Sequence, residues 1–182
     1  YNRSVNDLST SNFSHFDKFD DLLTLILKSA AVATKTDLVS YWSIENEEII
    51  SQTCYDLKND TTVSNPLNPR DFDQVDFTEI KEKKIINVPD VKSKSAAYFH
   101  NSYILDAQYN SMLAMSVFHN NLLMGILCFS TIEKNKLWDS EDLNFTRTIT
   151  NIISVSLELQ LRLQSERALK YKTEVLSVVS QC

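Results

Sequence analysis

The sequence predicts an α/β chain of the α+β kind: a three-layer sandwich around a central antiparallel sheet, with an N-terminal helix and a long C-terminal helix. Three observations carry this. An amphipathic helical stretch comes first, two pairs of β-rich segments follow, each joined by a short polar turn, and beyond Asp139 neither glycine nor proline interrupts the chain.

Phe16 to Ala33 reads as the first helix, because Phe19, Leu22, Leu23, Ile26, Leu27 and Ala30 recur at three- and four-residue spacing and Asp20 and Asp21 suit its first turns. Leu38–Ile44 and Ile49–Tyr55 are rich in β-formers and predict a hairpin turning at Glu45 to Glu48, where Asn46 takes the turn. Asp56 to Arg70 is polar, carries Pro66 and Pro69, and reads as a loop over one sheet face. Phe72 to Glu82 suits a short helix, Lys84 to Val88 a short strand ended by Pro89, and Ala96 to Gln108 a weak helix through Phe99, Tyr103 and Leu105. Ser111–Phe118 and Leu122–Thr131 predict a second hairpin turning at His119-Asn120-Asn121, since asparagine tolerates the positive φ of a tight turn. Both faces of these strands are largely apolar, so the sheet is expected to be covered on both sides. Asp139 then caps a helix expected to run from Ser140 to about Val178. Along it Ile149, Ile152, Ser156, Leu159 and Leu163 form a coiled-coil stripe that Leu169, Leu176 and Val179 resume in a shifted phase, which predicts a stutter between Leu163 and Leu169.

Composition narrows the function classes. The 182 residues are 43% hydrophobic, enough for one domain plus an extended element. A net charge of -6 disfavours a surface for nucleic acid or an anionic membrane, so a small molecule or a protein is the expected partner. No apolar run reaches the ~20 residues of a membrane span, and Tyr1 to Ser14 has no signal-peptide pattern, so a cytoplasmic piece is expected. Cys54, Cys128 and Cys182 stand far apart, which suggests neither a disulfide framework nor zinc. The sole glycine, Gly125, rules out a glycine-rich phosphate loop. His15, His100 and His119 lack metal or haem spacing.

Several phrases are similar, in order, to those of the GAF domain family. Thr36-Asp-Leu-Val-Ser-Tyr-Trp42 resembles its first strand, Lys84-Ile-Ile-Asn-Val-Pro-Asp90 a later strand ending in Asp, and Asn110 to Val117 the strand in which Ser116 replaces a usual proline. Leu123-Met-Gly-Ile-Leu-Cys128 and Leu137-Trp-Asp-Ser-Glu-Asp-Leu-Asn-Phe145 resemble the last strand and the start of the last helix. The resemblance implies a sensory domain over residues 16–163, after a tail at 1–15 and before a signalling helix or linker at 164–182. It further implies a missing bacterial output module of the diguanylate cyclase or histidine kinase type, with the full protein and not this piece as the enzyme.

Carried over by position from cyclic-nucleotide-binding members, the implied ligand-binding residues are Ser40, Tyr55, Asp56, Phe99, Tyr103, Asp106, Tyr109 and Cys128. Aromatic rings suit a purine, and Ser40 and Asp56 suit its polar edge; Asp106 would repel a cyclic phosphate. The Asn-Lys-Phe-Asp-Glu signature of many such members is absent, and Ala97 to Tyr109 lacks the cysteine that attaches a bilin in phytochromes. A cyclic nucleotide such as cAMP or cGMP is the leading ligand, no cofactor is certain, and no catalytic or metal-binding residue is implied. The alternatives are a ligand-free dimerisation domain and a small redox enzyme of the methionine sulfoxide reductase type. A parallel homodimer is expected through Ile149, Ile152, Leu159, Leu163 and the first helix.

Overall fold

The computed structural model describes residues 19–66, 77–92 and 109–181. Helix α1 (Phe19–Thr34) is followed by strands β1 (Leu38–Glu45), β2 (Glu48–Asp56) and β3 (Thr61–Pro66). Helix α2 (Thr78–Lys83), strands β4 (Ile85–Val88), β5 (Ser111–His119) and β6 (Leu122–Thr131), and helix α3 (Ser140–Val179) complete the order. The six strands form one antiparallel sheet in the order β3-β2-β1-β6-β5-β4. The α+β sandwich with its long last helix is therefore as expected.

Both hairpin turns use the predicted asparagines. Asn46 and Glu47 have φ of 50° and 64°, and Asn120 and Asn121 have 49° and 61°, the left-handed pairs that match the strand twist. The expected loop at Asp56 to Arg70 is corrected, since Thr61–Pro66 is an edge strand hydrogen-bonded along β2. Asp56 causes the reversal: its Oδ1 accepts from the amides of Lys58 and Asn59 at 2.9 and 3.1 Å, and Asp60 follows at φ 50°. Pro66 does not break the strand because it sits at the end of an edge strand.

Register divides the sheet into two faces. Val39, Tyr41, Tyr55, Leu127 and Phe129 point toward α1 and α3, forming one core with Leu23, Ile26 and Leu27 of α1 and Phe145, Ile149 and Ile153 of α3. Trp42, Ile44, Met112, Ala114, Ile126 and Cys128 point the other way and pack beneath Phe77, Ile80 and Val88. Gly125 is required in this arrangement because a Cβ there would collide with the Tyr41 ring, and Tyr41 is 1% exposed.

Helix α3 runs for 40 residues, about 60 Å at 1.5 Å per residue. A capping box between Asp139 and Asp142 begins it. Lys136 locks that start in place: its Nζ pairs with Asp142 at 3.2 Å, donates to the Thr34 carbonyl at 2.7 Å and lies 4.7 Å from the Trp138 ring centroid. Burial then falls on Phe145, Thr146, Ile149, Thr150, Ile153 and Ser156, whereas every residue from 161 to 181 is exposed. The helix is continuous between Leu163 and Leu169, as expected of an unbroken helix from Ser140 to about Val178. No helix among the described residues is long and apolar enough to cross a membrane.

Candidate functional site

The face of the sheet turned away from α1 and α3 holds Ser40, Cys128 and Tyr109 of the nominated residues. Ser40 lies between Cys54 on β2 and Cys128 on β6 as cross-strand partner of both. Ser40 and Cys128 are 7% and 4% exposed, with Trp42 and Ile126 beside them on the same face. Ser40 is buried, as are Gln52 and Ser130 on the same face. Tyr109 packs against the apolar cluster of this face.

Two nominated residues leave the site. Tyr55 is the partner of Val39 and so faces α1, where it is buried in the helix-side core, and its hydroxyl donates to Asp60 Oδ1 at 2.8 Å. Neighbours in a strand point to opposite faces, so Ser40 and Tyr55 cannot converge in this register. Asp56 lies on Ser40's face, but its carboxylate is occupied by the β2–β3 turn, its Oδ2 also accepting from Asn59 Nδ2 at 2.7 Å. Partial desolvation pulls the Asp56 pKa up, but the bonds from Asn59 and Lys58 outweigh it and hold the carboxyl below its ordinary value. Phe99, Tyr103 and Asp106 lie outside the described residues.

The thiols are poorly disposed to redox work. Burial pushes Cys128 up to about 12, with a smaller contribution from Cys54, and burial with the nearby Asp56 charge pushes Cys54 up to about 11. The nucleophile would be the thiolate, which is scarce at neutral pH for both. The expected result is that iodoacetamide at pH 7.5, mapped by peptide mass spectrometry, labels Cys128 only after unfolding, and labels Cys54 at least roughly tenfold more slowly than an unstructured peptide thiol. Rapid native labelling of both would revive the reductase alternative.

Sequence reasoning missed the part-buried Lys136–Asp142 pair and the polar strip of Gln52 and Ser130 beside Ser40. The strip was legible from strand alternation once the register was fixed, while the ion pair is set by how α1 and α3 meet.

The sequence model of the GAF domain family matches residues 18–157. The GAF domain of an Acinetobacter phosphoenolpyruvate-protein phosphotransferase is similar at 18% identity and TM-score 0.58, over 90% of this chain and 94% of that one. The corresponding Coxiella burnetii domain (ptsP) is 13% identical with TM-score 0.65, over 90% and 95% of the two chains. A phycoerythrobilin-bound GAF domain from a cyanobacterial phytochrome is 12% identical with TM-score 0.65, over 90% and 97%. At such identities the likeness to these structures is one of fold alone. No curated protein matches the sequence.

Proposed function

The chain belongs to the GAF domain family, a family of regulatory ligand-binding and signalling domains, and on that premise we propose that it is a sensory module whose last helix relays occupancy of the Ser40–Cys128 face to a bacterial output domain. The division of α3 carries this reading. Its first half, through Ile149 and Ile153, is part of the core that also backs the sheet, and its second half projects as an exposed rod. A displacement of β1 and β6 by a ligand would reach that rod through Leu127, Phe129 and the locked start at Lys136. A ligand that binds one arrangement of a helix pair better than another shifts the pair toward it.

The leading ligand is a cyclic nucleotide, with the base edge at Ser40, Gln52 and Ser130, and the leading outputs are a diguanylate cyclase or a histidine kinase. Saturation at about 100 times Kd would stabilise the domain by about 2.7 kcal/mol, a rise in melting temperature of roughly 5–10 °C for a domain of this size. A thermal-shift screen of cyclic mono- and dinucleotides is expected to give such a rise for one ligand. Ser40→Ala is expected to shrink it by about 0.5–1.5 kcal/mol, the usual net worth of one hydrogen bond. No rise with any of them at millimolar concentration would favour a ligand-free dimerisation domain. That second reading is supported by the close packing of Phe77, Ile80 and Val88 onto this face.

A parallel homodimer is part of the proposal, through a seam that differs from the expected one. Ile149 is 0% exposed within its own core and Ile152 packs against that core, so neither is free to meet a partner. The apolar face of α1 is likewise covered, with only Val32 among its large apolar residues exposed. Beyond the domain, Leu157, Leu161, Gln164, Ala168, Tyr171, Val175 and Val178 follow unbroken alternate steps of four and three residues. This line starts beside the last buried position, Ser156, and requires no stutter.

A further inference from the structure

We infer that a groove between α3, the outer edge of β5 and the α2–β4 junction is a second binding site, for a small organic phosphate. The groove encloses about 440 Å³, within the size range of small-ligand pockets. It lies on the helix side of the sheet, so it is separate from the Ser40–Cys128 face and does not depend on a ligand there.

Its charge is opposite to that of the chain. In a sequence with net charge -6, Lys83, Lys84 and Arg147 line the groove and, among the described residues, no carboxylate does. Glu79 pairs with Lys83 at 2.7 Å and partly neutralises it. Lys84 and Arg147 have no carboxylate partner among the described residues; Arg147 Nη1 donates to the Asn144 side-chain oxygen at 3.0 Å, and Lys84 Nζ stands 6.0 Å from the Phe118 ring centroid. An arginine fork and a lysine ammonium facing one cleft suit a phosphate, which an arginine binds through two parallel bonds.

Both cations are rooted in fixed backbone. Lys84 has φ 61°, and its carbonyl accepts from the Ser116 amide at 3.0 Å and the Ser116 hydroxyl at 3.1 Å. Helix α3 is tied to β5 by Ser154 Oγ donating to the Phe118 carbonyl at 2.7 Å, and Thr150 Oγ1, which donates to the Arg147 carbonyl at 2.8 Å, lies 3.4 Å from Met115 Sδ on β5. Ile85 and Phe118, both only partly buried, add apolar surface, which selects a phosphate ester carrying an apolar group over the free ion. Because the groove has α3 as one wall, occupancy would bear directly on the signalling helix.

The test is an ¹⁵N NMR titration of the full chain with phenyl phosphate at low salt. Saturable shifts are expected at Val117, Phe118 and Asn151, with Kd near or below about 1 mM. Inorganic phosphate is expected to bind at least roughly tenfold more weakly, and the Lys84→Gln/Arg147→Gln pair to weaken phenyl phosphate by at least about tenfold, while Lys84→Arg retains it. Failure to saturate by about 10 mM, equal binding of inorganic phosphate, indifference to the double substitution in a protein of unchanged spectrum, or shifts centred on Ser40 and Cys128 would each overturn the site.

Discussion

Leu161→Asp combined with Val175→Asp is expected to turn a dimer into a monomer while leaving the domain's melting temperature within about 2 °C, because changes at exposed positions away from the core usually cost less than about 0.5 kcal/mol. Both residues are exposed, at 40% and 42%, and both occupy the apolar line that begins at Leu157. Beyond Leu157, which still packs against the core, that line is exposed along the described helix, and apolar area left in water costs roughly 25 cal/mol per Å². A second copy aligned in parallel covers it with itself, and it sends both helices out from the same end. Two carboxylates per chain in such a seam are desolvated without partners. The proposed pairing would have a built-in weakness, since Arg167 and Lys172 would flank the seam where a parallel partner brings like charges together. Added salt is therefore expected to tighten the wild-type dimer. Sedimentation equilibrium reads both effects, and a double variant that remains dimeric would remove this seam from consideration.

Ile149→Ala is expected to do the reverse: lower stability by about 2–5 kcal/mol, the usual cost of emptying a buried Ile site, without altering the association of the molecules that remain folded. Ile149 is fully buried among side chains from the sheet and α1, so a cavity there loosens the contact between α3 and the sheet. Urea unfolding measures it. A loss under about 1 kcal/mol, within the range of surface changes, would mean that Ile149 belongs to an interface and not to the core. The contrast between these two substitutions separates the two halves of one helix.

The sequence made the hairpins legible because their causes are local: Asn46 and Asn120-Asn121 accept left-handed backbone, and β-formers flank them. The helix starts were equally local, with Asp139 and Asp142 capping α3. Strand β3 was misread because Pro66 and Pro69 dominated the segment, while the turn that creates the strand depends on Asp56 binding amides two and three residues on. Asp56 was nominated by its position in the family, and these bonds explain why its carboxylate serves the turn instead. Tyr55 was placed on the wrong face because β2 alternates, and a one-residue change of register exchanges every side chain between faces. Ser40 and Cys128 were placed on a common face because their strands are direct neighbours. Ile149 was assigned to a dimer seam because periodicity alone does not distinguish an apolar stripe that meets its own sheet from one that meets a second chain. The groove was invisible in sequence, since Lys83, Lys84 and Arg147 come from elements far apart in the chain.

Disulfide trapping tests the two-part helix most directly. In a Cys182→Ser background, Ala168→Cys places a thiol in the proposed seam and Glu166→Cys places one on the outermost line of the same helix, while Cys128 is buried and Cys54, only partly buried, lies on the sheet away from the seam. Parallel seam positions bring Cα atoms within the roughly 5.5–6 Å favoured by a disulfide. Mild oxidation at tens of micromolar is predicted to link Ala168→Cys into covalent dimers and to leave Glu166→Cys monomeric on a denaturing gel. Equal linkage of the two, linkage of Glu166→Cys alone, or no linkage in a wild-type domain that sediments as a monomer would contradict the account.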